Sequence, residues 1–410
     1  MGSLFAELAR QASANARREV EAYTHEIPEL GHLDADHRDR AETLEYALWL
    51  RNRTNELAPS SSALSEDDLG CIASMGEARA EAGMSLESRQ QVLRLHTALM
   101  LREINEATDA QRGGGVDELM QMMSWFAAQG VHGIGAYCQG FVRVLRRRRP
   151  YVEQVALLAE SMLAADPLAT ELAAAVGMEL PDHCAVTVVR VPHGPGDGRE
   201  LERAIEALAK THQVPLVWHP QDGGEGGELI ALVSLRPMVP VVPGGTATVR
   251  RHIAPGPVSD LVRDFAEALG DPCAAGTATA PVSELSGALD RARRVSRAAP
   301  LRRASALLRV HTLADVFVEL AVAEVPFADE WLRMVARRLA AGPDLLLTLD
   351  AYYGYDMNRG TAAAALNVHP RTLDYRLRRV QELTGISPGS THGVRILSSV
   401  VARELSGAWR

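Results

Sequence analysis

Between Asn358 and Thr384 the chain reads as two helices joined by a turn so short that they must pack against each other. The first holds small residues, Thr361 through Ala365, and the turn is Val368-His369-Pro370. In the second, Leu373, Leu377, Val380 and Thr384 recur at spacings of four, three and four, which draws one stripe along a helix. Rotating by about 100° per residue from Leu373 places Arg371, Tyr375, Arg378 and Glu382 on the opposite side, with Thr372, Asp374 and Arg379 on the flanks and Arg376 nearer the core stripe. Asn358 is the expected cap of the first helix, and Pro370 suits the first turn of the second. Gly385 closes the second helix in the left-handed conformation that glycine tolerates, and Pro388 prevents its continuation.

An outward face of Arg and Tyr suits a duplex. Guanidinium groups neutralise phosphates or grip guanine in the major groove, and Tyr and Thr hydroxyls donate to phosphate oxygens. Charge is distributed accordingly. From Pro343 to Arg410 there are eight arginines against six acidic residues, a surplus of two, whereas the rest of the chain has 35 basic and 46 acidic residues. A basic module on an acidic body predicts local contact with DNA rather than general coating of polyanions. The bland alternative is a solvated helix laced by pairs such as Asp374 with Arg378.

The run Leu345 to Leu397 resembles the C-terminal helix-turn-helix of the PucR/CdaR group of bacterial transcriptional regulators. The residues that carry the resemblance are Leu345-Leu346-Leu347-Thr348-Leu349, Asn358, Val368-His369-Pro370, Thr372, Tyr375-Arg376-Leu377, Arg379 and Glu382-Leu383-Thr384-Gly385. It implies a recognition helix in the major groove, with Arg371, Thr372, Tyr375, Arg376, Arg378 and Arg379 touching DNA. Arg376, close to the core stripe, suits phosphate or a neighbouring helix better than a base edge. His369 in the turn is either a backbone contact or a residue satisfied locally. Ala364 and Asp374 depart from the group's pattern and bear on sequence preference, so Asp374 joins the candidate DNA-contact set.

The rest of the chain is bounded by its composition. Its 410 residues allow several domains, each with its own core. No apolar run reaches the length of a membrane span, and Met1-Gly2-Ser3-Leu4-Phe5-Ala6-Glu7 lacks a signal-peptide pattern, so a cytoplasmic, nucleoid-associated protein without a membrane partner is expected. Cys71, Cys138, Cys184 and Cys273 are widely spaced and His residues do not cluster, so neither a metal site nor a cofactor is expected. Lys210 is the only lysine, which fits a GC-rich coding bias.

The fold class expected is multidomain and mainly α, with a central α/β domain. Residues 1–148 read as a helical sensor or assembly bundle, with a helix start at Ser65-Glu66-Asp67-Asp68 and breaks at Pro59-Ser60-Ser61-Ser62 and Arg112-Gly113-Gly114-Gly115. From Leu69 through Gly83-Met84-Ser85-Leu86 to Leu101 this bundle is similar to the RsbRD-type sensor domain of some members of the same group. The basic run Arg146 to Arg149 reads as a helix C-terminus favoured by the helix dipole, or else as a second phosphate contact. Residues 149–178 read as one connecting amphipathic helix, able to pair with its copy or to pack on its own chain.

Residues 179–300 alternate strand and helix, in an order resembling the degenerate GGDEF-like domain of PucR/CdaR regulators. Strands are expected at Cys184 to Val191, Leu216 to His219 and Glu228 to Leu235, with a short one near Ala274 to Thr279 and a Gly-rich hairpin at Asp222 to Gly227. A cyclase reading would rest on Gly226-Gly227-Glu228-Leu229. Only one carboxylate follows those glycines, so the metal-binding pair needed for phosphoryl chemistry is missing and no enzyme is expected. Residues 301–342 read as a helical connector with Leu307, Leu308, Phe317, Leu320, Trp331, Met334 and Val335 as core candidates, and 343–410 as the DNA-binding domain.

Together these features predict a transcriptional regulator that binds promoter or operator duplex DNA as a homodimer or higher homo-oligomer. A small-molecule or protein effector is expected at the N-terminal or middle domain. Two other readings stand beside it: a signalling scaffold whose DNA binding has decayed, and a nucleotide cyclase-like enzyme.

Overall fold

A computed structural model describes residues 3–34, 37–109, 115–193, 198–221, 226–235, 256–305 and 307–409. They divide into two compact units, one of Met1–Gln154 with Asp166–Gly177 and the other of Val155–Ala165 with Met178–Arg410.

The first unit is a helical bundle of α1 (Leu4–Glu26), α2 (His37–Leu57), α3 (Glu66–Glu81), α4 (Leu86–Asp109) and α5 (Val116–Arg148). Ser65 caps α3 as its sequence predicts, in a reciprocal capping box with Asp68. α3 and α5 cross with their backbones in contact, because a Cβ on Gly76 would lie 2.2 Å from the Tyr137 carbonyl oxygen and one on Gly140 would lie 1.9 Å from that of Ala73. This close approach sets the positions of Arg79 on α3 and Tyr137 on α5.

Charges are also buried here. Arg51 on α2 donates Nε and Nη2 to Glu103 at 3.0 and 2.6 Å and pairs through Nη1 with Glu19. Glu19 also accepts from the Tyr23 hydroxyl and meets His96 Nδ1 at 2.7 Å. Burial alone would raise the Glu19 carboxyl, but His96, Arg51 and Tyr23 together hold it well below the usual carboxylate range. The Arg146 to Arg149 run has a structural use: Arg147 pairs with Glu81 at 3.2 Å, Arg148 donates to the Glu81 carbonyl and Arg149 pairs with Glu153.

The single helix expected over 149–178 is instead two, α6 (Tyr151–Leu163) and α7 (Leu168–Val176). Ala165 sits at φ 51° and Pro167 follows, and a residue before proline is steered away from helical conformation. Asp166 turns that break into an anchor. Its Oδ1 accepts from the Leu168 amide at 2.8 Å, while its other oxygen accepts from Gln90 at 2.5 Å and from fully buried Arg89.

The second unit holds a five-stranded sheet of β1 (His183–Val191), β2 (Leu216–Pro220), β3 (Gly227–Ser234), β4 (Ala274–Pro281) and β5 (Val310–His311), in the order β2-β3-β1-β4-β5. β1 lies in the middle, antiparallel to β3 and β4, and Cys184 through Val189 are buried on both faces, as a run that is apolar but for Thr187 requires of a central strand. α8 (Gly198–His212), α9 (Gly256–Leu269) and α10 (Leu285–Ala298) complete the α/β layer. Most of the Gly-rich hairpin expected at 222–227 lies outside the described residues.

The connector departs from expectation in two ways. None of the described residues of 301–309 is helical: Arg302 and Cys273 exchange backbone hydrogen bonds at 2.8 Å, and β5 then pairs in parallel with Ala275 and Gly276. The helices that follow are α11 (Leu313–Ala323) and α12 (Pro326–Leu339). Of the expected core residues only Val335 is fully buried, and Phe317, Trp331 and Met334 are exposed. α12 instead turns Leu332, Val335, Ala336 and Leu339 into the C-terminal core. Its apolar band is wide enough for either orientation, and the neighbouring helices select one.

The C-terminal module is α13 (Leu345–Gly354), α14 (Arg359–Ala365), α15 (Pro370–Thr384) and α16 (Thr391–Leu405) around Leu345, Leu349, Leu373, Leu377, Val380, Leu397 and Val401. Val394 and Leu405 of α16 are only half-buried. The sheet domain grips this module by its last helix. Arg190 Nη2 donates to the Ser406 carbonyl at 2.9 Å, the Leu301 amide donates to the Leu405 carbonyl at 3.0 Å, and Arg302 forms a two-pronged pair with Asp350. A guanidinium at the C-terminal end of α16 also opposes the helix dipole.

Candidate nucleic-acid interface

α14 and α15 form the pair expected from the sequence. The Asn358 side chain accepts the Thr361 amide at 3.1 Å, and Ala362 and Ala363 are buried against α15. Gly385 closes α15 at φ 76°. Leu373, Leu377 and Val380 are buried and Thr384 is half-buried, so the core stripe read from spacing is the one the fold uses.

The opposite face carries Arg371, Thr372, Tyr375 and Arg378, all exposed, with Tyr375 at 59%. Among the described residues neither Arg371 nor Arg378 pairs with a carboxylate. Arg378 Nε donates at 3.4 Å to the backbone carbonyl of Asp374. Two guanidinium groups and a phenol thus project from one face of a rigid helix with most donors unused, which suits phosphate oxygens and guanine edges.

Four candidate residues have defined partners. Arg376 is only 16% exposed; its Nη2 meets Asp344 Oδ2 at 2.8 Å and its Nη1 approaches Thr348 at 3.4 Å, so it ties α15 to the start of α13. Of the two uses the sequence left open for it, this is the neighbouring helix. His369 is the N-cap: Nδ1 accepts the Arg371 amide at 3.2 Å. That leaves only Nε2 of the imidazole for an outside contact. Arg379 pairs with Glu382 at 2.9 Å along the same helix. Asp374 meets Arg359 of α14 at 3.3 Å, not the Arg378 guanidinium as the spacing suggested. Sequence reasoning missed Arg359 and Asp344, since each pairs with a residue on a different helix, where helical spacing gives no signal.

In the α/β domain the carboxylate following the Gly-Gly pair is also engaged: Glu228 accepts from Arg293 Nε at 2.6 Å. Burial pushes the thiols of Cys138, Cys184 and Cys273 up to about 11. No helix among the described residues is long and apolar enough to cross a membrane.

Residues 345–398 match the PucR C-terminal helix-turn-helix domain, and residues 161–298 match the GGDEF-like domain. A crystal structure of a regulator of polyketide synthase expression from Bifidobacterium adolescentis is similar over 64% of this chain and 97% of that one, at 19% identity and a TM-score of 0.27, too loose a superposition to support any argument. No match is found among curated proteins. The chain thus carries a PucR-type C-terminal helix-turn-helix behind a GGDEF-like domain, the domains of a DNA-binding transcriptional regulator.

Proposed function

We propose that this PucR-type regulator binds operator DNA as a homodimer, with α15 of each copy in the major groove, and that its N-terminal bundle and GGDEF-like domain govern how those helices are presented. The observation that carries the reading is the face of α15, where exposed Arg371, Tyr375 and Arg378 project without a carboxylate partner among the described residues. In this reading Arg371 and Arg378 contact bases or phosphates, and Thr372, Tyr375, Arg379 and His369 Nε2 contact the backbone. Arg376 positions α15 through Asp344. Asp374, tethered by Arg359, discriminates among base pairs by accepting from a cytosine amino group or repelling nearby phosphate.

Two considerations support a dimer. One module makes few phosphate contacts, whereas a symmetric pair reads two half-sites separated by about one helical turn or a multiple of it. The α11 and α12 helices also leave Leu313, Phe317, Phe327 and Trp331 exposed, Phe327 at 81%, in the same unit as the DNA module. A second copy would cover such residues while supplying the second recognition helix. The Glu228–Arg293 pair supports a structural rather than catalytic role for the GGDEF-like domain. The site of action follows from the ligand: chromosomal DNA, within the nucleoid.

The test is recovery of genomic fragments bound by the purified chain, followed by gel-shift titration and sedimentation on a recovered site. Inverted half-sites and a dimeric complex are expected. A strict monomer on DNA would overturn the dimer, and failure to enrich any fragment would favour the scaffold reading.

A further inference from the structure

Within the first unit lies an apolar cavity of about 260 Å³, walled by residues such as Tyr46, Ile72, Met100, Phe126 and Ile134. About 150 Å³ holds a benzene ring, so this space admits a ring with a short chain and a polar head. Most polar groups on its wall are already satisfied. The Thr54 and Thr97 hydroxyls donate to carbonyls in their own helices, and Gln129 Oε1 accepts the Leu64 amide.

Arg79 is different. It is 8% exposed and lines the cavity, yet among the described residues no carboxylate pairs with it. Its guanidinium carbon lies 5.2 Å from the centre of the Tyr23 ring and 5.7 Å from that of Tyr137, and its one hydrogen bond there runs from Nη1 to the Tyr137 hydroxyl at 3.4 Å. Neither phenol is a counter-ion. Burial pushes the Tyr23 hydroxyl well above its usual range, and it donates to Glu19. Arg51 and Arg89 in the same bundle are buried against Glu19, Glu103 and Asp166. A buried guanidinium stays charged and carries five donors, so leaving it with aromatic faces and one long hydrogen bond is costly unless an anion completes it.

We infer that this cavity is a binding site for a small organic monocarboxylate, its apolar body among the aromatic and aliphatic side chains and its carboxylate on Arg79. The geometry is that of a hydrophobic pocket with a single fixed charge, in which the charge selects the head group and the walls select shape. His96, also on the wall, has Nδ1 occupied by Glu19 and offers its other ring nitrogen as a second polar contact. Binding is a property of this unit alone. That it controls DNA contact rests on the function proposed above, and the two claims fail in separate measurements.

Phenylacetate, 4-phenylbutyrate and octanoate, each beside its primary amide, would be titrated calorimetrically into the full-length chain. At least one acid should bind, and its amide should bind roughly ten- to a hundredfold more weakly, the worth of a charge-assisted hydrogen bond. Arg79→Met should erase that preference, so that acid and amide bind alike. If that variant fails to fold, Gly133→Leu gives an independent check, because the nearest side-chain atom to a Cβ there is 3.7 Å away and the added chain would occupy the cavity. It should leave the melting temperature unchanged or raised and abolish binding. Equal affinity for acid and amide in the unsubstituted chain, no binding of any acid at millimolar concentration, or acid binding undiminished in a folded Gly133→Leu chain would each overturn the proposal. Gel-shift assays with and without the bound acid separately test control of DNA binding.

Discussion

Arginine serves opposite ends in the N-terminal bundle and in the C-terminal helix-turn-helix. On α15, Arg371 and Arg378 stand in solvent, where an unpaired guanidinium carries little penalty and remains free for a phosphate. In the bundle, Arg51, Arg79 and Arg89 are withdrawn from water, where each needs compensation. Arg51 has two carboxylates and Arg89 has one, but Arg79 has two aromatic rings. An exposed arginine without a partner is therefore ordinary, and its meaning comes from neighbours such as Tyr375 on the same face. A buried arginine without an acid is itself a signal.

The contrast can be broken most forcefully at Arg51. Arg51→Met should destabilise the bundle by about 3–5 kcal/mol, because Glu19 and Glu103 are left buried without their cation. An unchanged thermal unfolding profile would show that those charges are hydrated. Leu377→Ala, in the core of the other region, should lower stability by about 2–5 kcal/mol, read as a shift in circular dichroism melting, before any effect on recognition. At the surface the reverse is expected: Arg371→Ala should weaken specific DNA binding by about 1–3 kcal/mol in gel-shift titration and leave the melting temperature alone.

Acidification supplies a gentler probe. Glu19 is held below its ordinary carboxylate range in the folded chain, so its contribution is present above the unfolded value of about 4.3 and is lost as pH falls below that value towards the lower folded one. Urea unfolding at pH 6 and pH 3.5 should show the loss, and Glu19→Gln should reduce the difference between the two. The smallest effect belongs to Asp374→Asn. It removes a half-exposed pair with Arg359, so stability should change by less than about 1 kcal/mol while preference among operator variants shifts. Unaltered preference would remove Asp374 from the recognition face.

Short-range chemistry was legible in the sequence. The Asn358 cap, the Leu373, Leu377 and Val380 stripe and the Gly385 stop all depend on residues within a few positions of one another, and each stands where spacing put it. The break between α6 and α7 was equally local, yet the apolar period through residues 151–176 masks it, and Pro167 was the available signal. The connector was legible only in part. Both stripes of α12 are apolar, and burial of Leu332 rather than Trp331 depends on where α15 and α16 lie.

By itself the sequence determined the helix-turn-helix, its outward arginines and the strand-helix alternation of the middle domain, because helical period, caps and glycine stops act through neighbours in the chain. Tertiary structure alone decided which charges have partners outside their own helix. Arg376 with Asp344, Arg359 with Asp374 and Arg89 with Asp166 join residues from separate elements. Arg79 is left facing an apolar cavity for the same reason: whether a buried charge meets an acid, a ring or an empty space depends on how helices cross, and Gly76 and Gly140 set that crossing.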